Sequence, residues 1–191
     1  ESNLLTVSSK QLGQALHFTD AQVRKDLAYF GQFGQPGIGY DVTELIARLR
    51  SILGTDRTWK VLLVGAGNLG RALLAYRGFA KRGFEMAAVF DSDPAKHGTS
   101  VSAEGDLRVQ SLDDMPRLAR ELDIRLGVLA VPATVAQAVV DMVVAAGIRG
   151  ILNFAPISLH PPAGVTVVNV DLAVQLEQLS FNVSADGDRP V

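Results

Sequence analysis

Apolar runs alternate with helix-period segments along the chain from residue 60 onward. This alternation is typical of parallel strands that are buried on both faces and separated by covering helices. It predicts an α/β fold with a doubly wound parallel sheet. Strands are predicted at Lys60–Val64, Glu85–Phe90, Leu107–Gln110, Arg125–Ala130, Gly150–Asn153 and Val165–Val170, and helices at Leu69–Arg82, Leu112–Leu122 and Thr134–Ala146.

The first 59 residues follow a different pattern, in which two short helices precede a glycine-rich stretch. Ser8 and Thr19 stand where capping boxes open helices that extend to about Ala15 and Phe30. Two short helices joined by a tight turn form a helix-turn-helix. Within residues 31–40, glycines alternate with apolar and aromatic side chains, which predicts a two-stranded wing.

A third helix is predicted over Asp41–Leu53, and Gly54–Trp59 forms the natural domain boundary. The resulting division is a winged helix-turn-helix over 1–59, a dinucleotide-binding domain of the Rossmann type over 60–170, and a C-terminal helix and tail over 171–191. The chain contains neither internal repeats nor low-complexity tracts.

A glycine-rich loop directly follows the first predicted strand and opens a helix, which directs backbone N–H groups and the helix dipole at a pyrophosphate. The loop consists of Gly65, Ala66, Gly67, Asn68, Leu69 and Gly70. Asp91 ends the next strand, at the spacing of about 20 residues expected of the acid that holds the adenosine ribose. Its carboxylate would repel a 2′-phosphate, so NAD(H) is favoured over NADP(H). Lys96 and His97 could flank the adenine or the ribose, but a solvated loop is the favoured interpretation.

Further candidates for the cofactor site follow other strands. The carboxyl edge of an open α/β sheet is where ligands bind, and this places Val131, Pro132, Asn153 and Phe154 near the cofactor. A dehydrogenase also needs a proton donor or acceptor near the transferred hydride. None of the three histidines is expected to serve, and Tyr76 and Asp171 are the remaining polar candidates near the nicotinamide. The site is predicted to bind NAD(H) without reacting, so no catalytic residue is assigned.

The composition narrows the classes of function. A net charge of −2 argues against a protein that coats nucleic acid by bulk electrostatics, so a DNA-binding argument depends on local placement. The absence of cysteine excludes disulfides and suits a reducing compartment. No apolar run is long enough to cross a membrane, and the expectation is a soluble cytoplasmic protein without a membrane partner. No metal site is predicted.

The positions of polar and basic residues favour DNA binding by the second short helix. The N-terminal residues of the second helix in a helix-turn-helix face base edges in the major groove. This directs Gln22, Arg24 and Lys25 toward DNA, where they suit base edges or phosphates. The predicted wing adds Gln35 and Tyr40 to the candidate contacts.

At this point nearly the whole chain resembles the family of redox-sensing transcriptional repressors called Rex. The motifs that carry the resemblance are Gln22–Leu27, Tyr29–Gly31, Gly37–Tyr40, Gly65–Gly70, Gly150–Pro156, Asn169–Asp171 and Leu179–Phe181. The resemblance implies a homodimer with a C-terminal helix exchanged between subunits. It also implies that NADH releases the protein from a palindromic operator of two half-sites, whereas NAD⁺ competes for the site and favours DNA binding.

Carried over by motif, Arg24 and Lys25 would contact DNA, Tyr76 would lie by the nicotinamide and Asp171 would be its polar partner. Two features depart from the family. The wing tip is Gln35-Pro36 where the family usually has a basic residue, and only seven residues precede Ser8 where the family has another helix. We therefore expect the wing to contact DNA more weakly and the DNA-binding domain to lack that first helix.

Two other functions fit parts of the sequence. One is a small NAD-dependent oxidoreductase in which residues 1–59 form a dimerisation arm. The other is a CoA-binding sheet, which uses similar glycine loops and does not need Asp91.

Overall fold

The computed structural model describes residues 5–34, 37–102 and 106–187. The chain divides into two units, residues 1–58 and residues 59–191. Among the described helices, none is both long and apolar enough to cross a bilayer.

The first unit consists of three helices and a two-stranded antiparallel pairing. Its elements are β1 (Thr6–Val7), α1 (Ser9–Leu16), α2 (Asp20–Tyr29), β2 (Tyr40–Asp41) and α3 (Val42–Ile52). The hydroxyl of Ser8 accepts a bond from the backbone N–H of Gln11, and the Gln11 side chain accepts one from the N–H of Ser8. Such a reciprocal cap satisfies two backbone N–H groups that a helix start leaves without partners. The predicted capping box before α1 is confirmed.

The cap of α2 differs from the prediction in one respect. The hydroxyl of Thr19 accepts a bond from the N–H of Gln22, as expected. The Gln22 side chain does not return to the cap and instead donates to Asp26 at 2.7 Å. The carboxylate one turn on is a stronger acceptor for the amide, because hydrogen bonds to an ionised group are the stronger ones.

The turn between α1 and α2 depends on a glycine that the sequence analysis did not single out. A Cβ atom on Gly13 would lie 2.6 Å from the carbonyl oxygen of Phe18, so only glycine permits this approach of the turn to α1. The N–H of Phe18 donates to the carbonyl of Gly13 at 2.9 Å. This contact holds the two helices of the helix-turn-helix together.

The glycine-rich stretch is arranged differently from the predicted wing. Strand β2 pairs with β1, with Val7 opposite Tyr40, and the described part of residues 31–40 contains no strand pair of its own. Gly31, Gly34, Gly37 and Gly39 all have positive φ. A run of such angles bends the chain repeatedly and prevents a regular ladder. Gln35 and Pro36, the predicted wing tip, lie outside the described residues.

The second unit is a six-stranded parallel sheet with helices on both faces. Its strands are β3 (Trp59–Val64), β4 (Phe84–Phe90), β5 (Val109–Gln110), β6 (Leu126–Leu129), β7 (Gly150–Asn153) and β8 (Thr166–Asn169). Its helices are α4 (Asn68–Ala75), α5 (Gly78–Lys81), α6 (Met115–Glu121), α7 (Ala133–Ala145) and α8 (Leu172–Gly187). The strand order is β5-β4-β3-β6-β7-β8, which is the order of dinucleotide-binding Rossmann sheets. The predicted doubly wound fold is confirmed.

The strands are buried on both faces, which explains their continuous apolar runs. Leu62 and Val64 of β3 join one core cluster, and Val61 and Leu63 join the other. Successive side chains of a strand point to opposite faces, so neighbouring residues of β3 serve different helix layers. The core thereby fixes β3 at the centre of the sheet.

One predicted helix is wrong. The segment Leu69–Arg82 is divided into α4 and α5, because Tyr76 is extended, with ψ 99°. The Tyr76 ring lies over the Cα atom of Gly78, where any Cβ atom would overlap it. The ring also packs edge-on against Phe79, with 5.1 Å between ring centroids. The apolar periodicity continues through this break, so periodicity alone does not reveal it.

Candidate dinucleotide site and DNA-recognition helix

The glycine loop begins where β3 ends, and its first residue is held tightly against the sheet. Gly65 has φ +103°, a conformation that favours glycine. A Cβ atom there would lie 2.8 Å from the carbonyl carbon of Ala130 and 3.2 Å from a methyl group of Val131. Gly65 therefore brings the loop against the end of β6, at the point where the strand order reverses. Ligands of open α/β sheets bind at that switch point.

The other two glycines of the motif have opposite surroundings. A Cβ atom on Gly70 would overlap the carbonyl oxygen of Gly65, so α4 packs on its own loop without room for a methyl group. A Cβ atom on Gly67 would meet no described atom within 4 Å. Gly67 is the N-cap of α4 and no side chain caps that helix. The open space therefore faces a helix N-terminus, which is an anion-binding environment.

Asp91 closes the site from the end of β4. One carboxylate oxygen, Oδ2, accepts from the N–H of Ala66 at 2.8 Å and from the ammonium of Lys96 at 2.9 Å. The other, Oδ1, accepts from the N–H of Asp93 at 2.9 Å. The predicted ribose acid is thus bonded directly to the glycine loop that would hold the pyrophosphate.

The environment of Asp91 keeps its carboxylate ionised. Burial raises the pKa of Asp91, but the Lys96 ammonium and the N–H groups of Asp93 and Ala66 lower it by more, and the net pKa lies below its usual 3.8. Hydrogen bonds and a nearby cation both favour the charged form of an acid. An ionised carboxylate is the form that accepts bonds from ribose hydroxyls.

The loop after Asp91 contradicts the expectation that its side chains are solvated. Lys96 and His97 are both partly buried. Nε2 of His97 lies 2.9 Å from the carbonyl oxygen of Asp91, and because a carbonyl only accepts, Nε2 donates. The short spacing from Asp91 to two basic residues was the signal that could have identified these contacts.

Of the remaining edge candidates, Val131 lies against the glycine loop and Pro132 is exposed at the N-cap of α7. Asn153 is placed differently from the open cofactor contact that was expected. Its side chain is fully buried and bonds to the backbone of Ala155 and to Asn169. A saturated, buried amide shapes the loop after β7. Phe154 is partly buried and packs on the core.

The two candidates for the nicotinamide are not brought to the glycine loop. Tyr76 follows the last residue of α4, about 12 Å along the helix from its start, and its side chain is exposed. Asp171 caps α8, where its Oδ1 accepts from the N–H groups of Ala173 and Val174. Within the described part of a single chain, these two side chains form no hydrogen bond with each other or with Asp91.

The three histidines have structural placements. His17 ends α1 in the left-handed conformation, His97 bonds to Asp91, and the backbone N–H of His160 donates to Gln137. Among the described residues, no cluster of His, Asp and Glu has the arrangement of a metal site.

The predicted recognition helix α2 displays its polar residues on the surface. Arg24 donates to Asp20 at 2.7 Å and to the hydroxyl of Ser9 at 3.1 Å. Lys25 is exposed, and the Gln22 amide pairs with Asp26. Exposed ion pairs of this kind contribute little to stability. The guanidinium of Arg24 is therefore available to another anion at small cost.

Tyr40 is placed differently from the expected exposed DNA contact. Its side chain is buried, and its ring lies 2.7 Å from where a Cβ atom on Gly34 would stand. Tyr40 belongs to the small core of the first unit with Val23 and Leu45. Gln35 lies outside the described residues.

Helix α8 carries large apolar side chains that remain exposed. One stripe, at spacings of four, three and four residues, lies on one side of the helix, and two further apolar residues lie roughly 200° around it. The stripe consists of Leu172, Leu176, Leu179 and Val183, and the second pair is Val174 and Phe181. A surface helix of a monomer carries one apolar face. Two opposed apolar faces indicate a helix that packs between two surfaces.

Known protein families match segments in both units of the chain. Residues 56–157 match the family model described as a CoA binding domain, and residues 1–28 match one described as a putative DNA-binding protein N-terminus. A redox-sensing transcriptional repressor Rex from Carboxydothermus hydrogenoformans is 49% identical over 183 residues, which are 96% of this chain and 86% of the relative.

Solved structures of RSP, a Rex-family repressor, resemble the whole chain. The complex of RSP with β-NAD⁺ and operator DNA has a TM-score of 0.86 at 36% identity, and the match covers 97% of this chain and 84% of that one. The complex with β-NADH has a TM-score of 0.75 at 35% identity, covering 95% and 84%.

Proposed function

This chain belongs to the Rex family of redox-sensing transcriptional repressors, and from that premise we propose that it represses transcription by binding operator DNA and is released by NADH. NAD⁺ and NADH are its regulatory ligands, competing for the site at the glycine loop. The main support for the proposal is that one chain contains both a candidate dinucleotide site and a candidate DNA-recognition helix. A loop bonded to a buried acid suits a dinucleotide, and a separate exposed helix suits DNA.

The charge of the nicotinamide ring offers a means of discrimination. NAD⁺ carries a positive ring and NADH a neutral one, so an apolar cleft penalises the oxidised form through loss of hydration. If closure around NADH moves two DNA-binding heads out of register with half-sites about 34 Å apart, operator affinity falls. The ligand acts by its different affinity for the two arrangements.

We further propose that the active form is a homodimer joined by exchange of α8. The two apolar faces of this helix are exposed in one chain, and burying one Leu or Phe side chain contributes about 1.5–3 kcal/mol. A second copy offers the same helix in return, so the interface is self-complementary. Asp171, which caps α8, would then lie beside the partner subunit, where it could contact the nicotinamide bound there.

Leu179→Arg is expected to weaken the dimer at least tenfold, because a charge would be buried at each of two symmetric positions. Light scattering coupled to size exclusion, across a dilution series, measures the dissociation. Gln178→Arg is the matched control, since it adds the same charge on the adjacent exposed position of the helix. Dissociation of Leu179→Arg no greater than that of the unmodified protein would remove α8 from the dimer interface.

The proposed function is tested with DNA selected by the protein itself. The apo protein is used to enrich duplexes from a random-sequence pool, and gel shifts of the enriched duplex are then run with NADH, NAD⁺ or CoA. NADH is expected to release the DNA, and NAD⁺ and CoA to leave it bound. Release by CoA but not by NADH would favour the CoA-binding alternative.

We propose that the chain binds NADH as a regulatory ligand and does not oxidise it. The regulatory role of Rex-family relatives supports this, as does the His97 ring, which is bonded to the backbone of Asp91. Incubating the protein with NADH and candidate carbonyl substrates is expected to leave the NADH absorbance unchanged. A steady decrease of that absorbance would favour the oxidoreductase alternative.

A further inference from the structure

Lys96 is fixed beside Asp91 by the loop that carries both residues. Its ammonium lies 2.9 Å from Oδ2 of Asp91, and the two side chains are 31% and 8% exposed. The carboxylate of Asp93 accepts from the N–H of Ala95, and the hydroxyl of Thr99 donates to the carbonyl of Lys96. The backbone around Lys96 is thus braced on both sides, while the end of its side chain can reach solvent.

The pairing occupies acceptor positions that a ribose needs. A carboxylate offers about four lone-pair positions, two on each oxygen. Three are in use, because Oδ2 accepts from Ala66 and Lys96 and Oδ1 accepts from Asp93. One position remains for an incoming ribose, yet the 2′- and 3′-hydroxyls together donate two bonds. Bidentate binding therefore requires one of these three donors to leave, and the Lys96 ammonium is the only one of the three that a flexible side chain carries.

The ammonium also changes the charge that a 2′-substituent meets. Asp91 alone would repel a 2′-phosphate, whereas the Asp91–Lys96 pair has no net charge. An ammonium displaced from Oδ2 stays tethered to the same loop and is a point-charge donor that suits phosphate. The selectivity of this site between NAD(H) and NADP(H) therefore depends on Lys96 as well as on Asp91.

Resting on the proposed function, we propose that Lys96 is a specificity-determining residue of the adenosine end. On binding it moves from Asp91 to the 2′ position of the ribose and there lowers the discrimination against NADP(H). NAD(H) remains the preferred ligand because Asp91 still accepts the hydroxyls. Lys96 determines how much more tightly the site binds NAD(H) than NADP(H).

The test compares NADH and NADPH binding by calorimetry for the full chain and its Lys96→Gln variant. We expect the NADH:NADPH affinity ratio to widen at least tenfold in Lys96→Gln, mainly through weaker NADPH binding, with NADH affinity changed less than threefold. Lys96→Arg keeps the charge and is expected to hold the ratio within threefold of the unmodified protein. Lys81→Gln removes the charge of an exposed lysine in the same unit and is expected to change neither affinity.

An unchanged or narrower ratio in Lys96→Gln overturns the proposal, as does an equal loss of both ligands, which would assign Lys96 to positioning Asp91 only. An equally widened ratio in Lys96→Arg also overturns it, because the charge would then not be the cause. If Lys96→Gln does not fold, Lys96→Met, which also removes the charge, takes its place with the same expected and contradicting ratios. Failure of the unmodified protein to bind NADH would instead contradict the proposed function.

Discussion

Replacing Arg24 by alanine is expected to lower the affinity for operator DNA at least about 30-fold and to leave NADH affinity unchanged. A lost arginine contact to a base costs about 1–3 kcal/mol, and a dimer loses two of them. Among the described residues, the guanidinium bonds to exposed Asp20 and to Ser9, so its removal is expected to affect the fold little. Gel shifts with the selected duplex and calorimetry with NADH measure the two affinities.

Arg48 provides a matched control for Arg24. Both side chains are 55% exposed, and each forms an ion pair with an acid four residues earlier in its helix. Arg48 belongs to α3 and not to the predicted recognition helix. Arg48→Ala is expected to keep operator affinity within about threefold. Normal operator binding by Arg24→Ala would show that the recognition helix is placed wrongly.

Gly67→Ala is expected to weaken NADH binding at least about 100-fold without lowering the thermal unfolding temperature. A methyl group on Gly67 meets no described atom, and φ there is −79°, so the unliganded fold accepts alanine. The same methyl group would occupy the space in which a pyrophosphate approaches the helix N-terminus. Calorimetry with NADH and a thermal melt separate the two effects.

Gly70→Ala gives the contrasting result. Its methyl group would overlap the carbonyl oxygen of Gly65, so both the unfolding temperature and NADH affinity are expected to fall. The pair of variants distinguishes a ligand site from a turn that binds nothing. NADH affinity unaffected by Gly67→Ala would mean that the dinucleotide does not lie on this loop.

The sheet could be predicted from the sequence because a strand buried on both faces is a continuous run of apolar residues. Residues of β3 such as Leu62 and Leu63 are fully buried on opposite faces, and the strand is accordingly apolar throughout. The glycine loop and Asp91 were identifiable for the same kind of reason, since close backbone approach and ribose binding each require one residue type at a fixed spacing.

Features that depend on a partner elsewhere in the chain could not be predicted in this way. The pairing of Tyr40 with Val7 arises between distant segments, and it turns an expected DNA contact into a core residue. Asn153 occupies a ligand edge of the sheet, but its amide is saturated by its own loop. The break at Tyr76 depends on how a ring packs over Gly78, which apolar periodicity does not record.

NADH and operator DNA are expected to weaken each other's binding to this protein. The most direct measurement is the affinity for NADH with and without a saturating amount of the selected operator duplex. Linkage requires that DNA weaken NADH binding by the same factor by which NADH weakens DNA binding. We expect that factor to be about tenfold or more, within the range of measured coupling energies. Identical NADH affinities in the presence and absence of operator would contradict the proposed function.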